Sequence, residues 1–77
     1  MSTMILPLEC LAHGEKAVVE DVQGEAGWVC RMAELGIRSG SHLQVVQPGS
    51  PCLLEVSGCR LCVRGDDNMR IFVRPVN

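Results

Sequence analysis

Residues 28–40, WVCRMAELGIRSG, constrain the fold more than any other stretch, because only they hold a sustained helical period. At about 100° per residue, Leu35, Trp28, Met32, Val29 and Ala33 fall on one arc and Cys30, Glu34 and Arg31 on the other. The helix also carries its own stop. Gly36 can adopt the left-handed conformation past the last turn, and Ile37 can fold back onto Met32, the hydrophobic contact of a Schellman ending. Arg38-Ser39-Gly40 then reads as a turn into a strand. Upstream, Gln23-Gly24-Glu25-Ala26-Gly27 is a loop with no strong N-cap residue, which leaves the helix start open by about one turn.

The rest of the chain reads as β. Residues 4–12 carry Pro7 among Leu6, Leu8 and Leu11, which argues against a central strand or a helix interior. His13-Gly14 marks a turn, and residues 15–22, EKAVVEDV, have β-branched strand character. From His42 onward, Leu43 and Val45 alternate with His42 and Gln44. Past the turn residues Pro48-Gly49-Ser50-Pro51, residues 52–56 and 59–64 flank Ser57-Gly58 as a hairpin. That register sets Val56 against Cys59, Leu54 against Leu61 and Cys52 against Val63 on the face taken as core. Leu53, Glu55, Arg60, Cys62 and Arg64 share the outer face. Residues 66–69 suit a single helical or 3₁₀ turn capped by Asp66. In a last strand Ile71 and Val73 alternate with Phe72 and Arg74, and Pro75 ends it. Five short strands, tight turns and one inserted helix predict a mainly β fold, a small partly open barrel that removes most exposed edges.

Composition excludes several functions. At 47% hydrophobic and 21% charged, the 77 residues predict one folded domain rather than a disordered chain. No apolar run approaches the ~18–20 residues of a bilayer span. The N-terminus lacks the basic residue and cleavage pattern of a signal peptide, so a cytoplasmic protein is expected. A net charge of −2, with no Tyr, one Phe and one Trp, offers neither the phosphate-neutralising charge nor the stacking surface of a nucleic-acid binder. Five cysteines are an odd number, and in a reducing compartment they read as free thiols, several of them core.

Taken together, certain residues look like a known family. They are Gly14-Glu15-Lys16-Ala17, then Arg31-Met32-Ala33-Glu34-Leu35-Gly36-Ile37 with Gly40, then Gly58-Cys59-Arg60-Leu61-Cys62-Val63-Arg64, and finally Ile71-Phe72-Val73. The set resembles the FeoA domain over about residues 6–75 of a single domain 1–77. The resemblance implies a five-stranded SH3-like barrel and a small cytosolic component of bacterial ferrous iron uptake. It further implies an accessory role on FeoB, a membrane transporter with a cytosolic GTP-binding domain. Met32 stands where the family usually has Leu, and Ser39 where it usually has Pro.

No catalytic constellation is read: the serines lack a companion base, and there is no Walker loop or G-x-G-x-x-G. A non-enzymatic adaptor is therefore expected, with no required cofactor. Its partner-binding residues are expected at the helix end, Arg31, Glu34, Leu35, Ile37 and Arg38, with Arg64 and Phe72 beyond. Glu34 in the last helical turn faces the unfavourable dipole end, and Arg31 offsets only part of that cost. Arg38 is the turn residue that could serve as an arginine finger on a GTPase. The alternative is a metal-binding or metal-sensing module. Cys59-Arg60-Leu61-Cys62 is a C-x₂-C, but on a strand its sulfurs point to opposite faces, with Cys59 core and Cys62 half exposed. Surface candidates for adventitious or regulatory Zn²⁺ or Fe²⁺ are His13, Cys30, His42, Cys62 and Asp66, most readily at the contact of a weak or metal-mediated homodimer.

Overall fold

Strand β2 (Lys16–Gln23) organises the sheet because it is paired on both sides. The computed structural model describes residues 4–49, 51–64 and 70–76. In it β2 lies between β3 (His42–Gln47) and β6 (Arg70–Val76), both antiparallel. The sheet continues through β4 (Cys52–Val56) to β5 (Cys59–Val63) on one side. On the other side it ends at β1 (Leu6–Pro7), giving the order β1-β6-β2-β3-β4-β5. Helix α1 (Ala26–Glu34) joins β2 to β3.

The β2 sequence carries one residue too many for strict alternation. Continuing the phase of buried Ala17 and Val19 would drive Asp21 into the core. The ladder slips instead: Val19 pairs with Val73, whereas Asp21 pairs with Phe72 and Val22 with Ile71. Glu20 is thus the bulged residue. Asp21 turns out to solvent and Val22 packs against the core. A second irregularity lies between Val45 and Gln47 on β3. Bulges bend strands and sharpen their twist, which is how a short sheet curls round one core.

That core is built from the inner faces predicted by alternation. Val19, Val45, Leu54, Val56 and Val73 are all but inaccessible, joined by Leu43, Cys52, Val63 and Ile71. Leu8 and Leu11 add to it from the segment that holds Pro7. The hairpin register holds pair for pair, closed by Ser57 and Gly58 at φ 52° and 79°, a type I′ turn.

Four details differ from the sequence reading. A sixth strand, the two-residue β1, joins the five expected, and Pro7 sits there on the sheet's outer edge, where its missing N–H is tolerated. A 3₁₀ turn occurs at Leu8–Cys10; the turn expected at residues 66–69 lies outside the described residues. Pro75 does not end β6, which pairs on to Val76. β1 covers only Phe72 and Val73, so the other flank of Pro75 asks for no donor. Cys59 is exposed rather than core, because it directly follows the turn at the tip of an edge strand.

Helix α1 spans nine residues and buries Met32, with Trp28, Val29 and Ala33 buried in part. Its closure is the expected one. Gly36 N–H donates to the Ala33 carbonyl at 3.0 Å and Ile37 N–H to the Met32 carbonyl at 2.8 Å, with Gly36 at φ +101°. A Cβ on Gly36 would stand 3.1 Å from Val56 Cγ1, whereas one on Gly14, at φ +84°, would meet nothing. Gly14→Ala should therefore cost about 1 kcal/mol, the left-handed penalty alone, and Gly36→Ala about 2–3 kcal/mol. Urea denaturation of both variants checks this; equal losses would mean that Val56 yields freely.

Candidate partner-binding surface

The end of α1 is held in place from both directions along the chain. Behind it, the Schellman closure fixes Gly36 and buries Ile37 completely. Ahead of it, residues 39–41 are stitched to the bulge of β2. Gly40 N–H donates to the Val19 carbonyl and Val19 N–H to the Ser41 carbonyl, both at 2.8 Å, while Ser41 N–H closes a turn onto Arg38. Ser39 Oγ donates to the Glu20 carbonyl at 2.9 Å. The Glu20 carboxylate in turn accepts from Arg74 Nε at 3.1 Å, a half-exposed ion pair of modest energy. Arg38 thus has its backbone clamped on both sides while its side chain stays exposed.

Beside Arg38 a groove of about 280 Å³ runs between α1 and the bulged half of β2. Val22, Val29 and Ala33 line it, and Asp21, Arg38 and Ser39 form a polar rim. Ile37 has no exposed surface, so it supports the floor from beneath.

The residues expected from sequence divide into separate groups. Arg38 stands at the groove. Phe72, half-buried and facing outward, adjoins it through its cross-strand partner Asp21. Arg31 and Leu35 lie across the helix from Val29 and Ala33 at about 100° per residue, and Glu34 is exposed beside them. Leu35 does not join the buried arc as its phase implied. It is the residue at which the helix closes, and it stays 47% exposed. Ile37 is the correction within the set: a fully buried residue supports the surface and offers a partner no side chain. Gly36 packs beside Val56 and Ser57, which sets the helix end near the Ser57-Gly58 turn. Arg64 is exposed beyond the other end of β5, roughly 16 Å away at ~3.3 Å per residue, and does not share this surface. Sequence reasoning missed Asp21 and Ser39. The signal for Asp21 was a carboxylate in the core phase of β2.

The metal candidates do not converge. His13, Cys30, His42 and Cys62 are each exposed on a different element, and Asp66 lies outside the described residues. Among the described residues no three His, Cys, Asp or Glu side chains form a group able to hold one ion. Cys52 is the one buried thiol; burial first, then the negative charges of Glu9 and Cys62, push its pKa up.

The comparisons fit this architecture. The FeoA domain family matches residues 6–75, so the chain belongs to the FeoA family. A crystal structure described as the iron uptake regulatory protein FeoA superposes with a TM-score of 0.82 at 24% identity, covering 95% of this chain and 100% of that one. At that identity the likeness speaks for the fold. The solution structure of the FeoA protein from Chlorobium tepidum gives a TM-score of 0.84 at 28% identity, covering 94% of this chain and 71% of the other. No curated protein matches the chain. Family membership places the chain in ferrous iron uptake, as a small accessory domain of SH3-like fold. Among the described residues no helix is long and apolar enough to cross a membrane.

Thiol chemistry offers a direct check on these placements. Brief alkylation of the reduced native protein at pH 8 should modify Cys10, Cys30, Cys59 and Cys62, and Cys52 only after unfolding. Mass mapping that finds Cys52 labelled as fast as the others would contradict its burial.

Proposed function

We propose that this chain is a non-catalytic adaptor that binds the cytosolic region of a FeoB-like membrane iron transporter and modulates it. The observation that carries the reading is the mounting of Arg38: an exposed guanidinium on a clamped backbone, at the rim of a shallow groove. A cation held in this way loses little backbone entropy on docking, so its contacts contribute nearly in full. Leu35 and Arg31, across the helix from the groove, add a second exposed contact at the same helix end, one apolar and one charged. The reading needs no bound cofactor and is set in the cytoplasm.

A titration against the soluble GTP-binding domain of such a transporter tests this reading. Arg38→Glu and Leu35→Asp should each weaken Kd by about tenfold or more, close to 1.4 kcal/mol. Arg31→Glu should act mainly through the association rate and its salt dependence. Arg64→Glu, remote from the helix end, should bind as the parent does. Failure of the parent chain to bind, or equal binding by Arg38→Glu, Leu35→Asp and parent, overturns the assignment.

A further inference from the structure

The two edges of the sheet are finished differently. β1 is two residues long, contains Pro7 and runs straight into a 3₁₀ turn, so it offers almost no ladder to a second chain. β5 has none of these guards. It is five residues long, CRLCV, without Pro, Lys or bulge, and its pairing with β4 is continuous from Cys52↔Val63 to Val56↔Cys59. Its one charged side chain, Arg60, lies 3.7 Å from Glu55 on the neighbouring strand and leans away from the edge. Among the described residues no strand pairs with its outer side.

The hairpin fixes which groups are free. A two-residue type I′ turn makes its flanking pair, Val56 and Cys59, a hydrogen-bonded one, and bonded pairs then alternate along the ladder. Cys59, Leu61 and Val63 spend their backbone groups on β4. Arg60 and Cys62 aim their N–H and C=O groups outward.

We propose that β5 is a self-pairing edge, through which two copies of this chain join antiparallel about a two-fold axis at Leu61. Charge selects the register. Inner faces stay on the same side only when inward residues meet inward residues, which leaves three central pairings. Centring on Arg60 sets Arg60 against Arg60, and centring on Cys62 sets Arg60 against Arg64; like charges directly opposite are destabilising. Centring on Leu61 avoids both. Arg60 then exchanges both backbone bonds with Cys62 of the second copy, and the reverse pair forms across the axis. On the inner face Leu61, only half-buried in one copy, meets its symmetry mate, and exposed Cys59 meets Val63. The same patch serves both copies, so the contact closes at two.

The test uses the full chain under reducing conditions, so that disulfides play no part. Sedimentation should show a monomer giving way to a dimer as concentration rises to about 1 mM, the range of weak association. Hydrogen exchange at the Arg60 and Cys62 amides should slow by about twofold over that range, as about half the chains pair. Arg60→Pro should remain monomeric with an intact fold, since the Arg60 N–H makes no bond within the chain. Should that variant misfold, the exchange data decide alone. A monomer throughout, a dimer whose Arg60 and Cys62 amides exchange at the dilute rate, or protection that arises only when a different protein is added would each overturn the proposal.

Discussion

Ile37 has no exposed surface, and its burial ties the only α-helix among the described residues to the sheet. The residue lies outside the helix, at the second position past its end. It can reach the core only because Gly36 turns the chain through a left-handed conformation with Val56 3.1 Å from where a side chain would begin. Helix stop and helix docking are therefore one event. An isolated helix of nine residues is marginal in water. Here the closure and the burial of Met32 and Ile37 supply what propensity does not. The N-terminus contrasts with this, since Glu25 makes no side-chain capping bond.

From that anchor the candidate surface follows by connection. Once Ile37 is fixed, Arg38 must emerge at the surface, and Ser39 to Ser41 must run back along the bulge of β2. The bulge does two jobs. It turns Asp21 out of the core, and it presents the Glu20 carbonyl that receives Ser39. Ser39 donates its hydroxyl to that carbonyl, so a single side chain tethers the turn to the bulge. A surface positioned by backbone closure rather than by side-chain packing suits a domain with so small a core.

Most of the architecture was legible in the sequence because it rests on local signals. The Leu-Gly-Ile closure, the Ser-Gly hairpin and the alternation in β3 and β4 each have a short-range cause, and each appears where expected. What escaped depends on neighbours distant in the chain. The bulge at Glu20 becomes visible only when β6 lies alongside, and Pro75 is tolerated only because β1 is too short to reach it. Cys59 and Leu35 kept the phase of their elements yet lay at the ends, where the core no longer reaches. The candidate surface could be proposed from the sequence as a region, the helix end, but not as a geometry. Period alone could not separate Arg38 at the groove from Arg31 across the helix, nor show that Ile37 lies buried beneath the groove.

The helix end is the proposed face toward a FeoB-like transporter. The most direct measurement is an amide chemical-shift map of the isotopically labelled chain, titrated with the transporter's cytosolic domain. Perturbations should cluster on residues 31–39 with Asp21 and Val22, and leave the Cys52 end of β4 and the Arg64 end of β5 unmoved. A cluster centred on the outer face of β3 and β4, with the helix end silent, would contradict it.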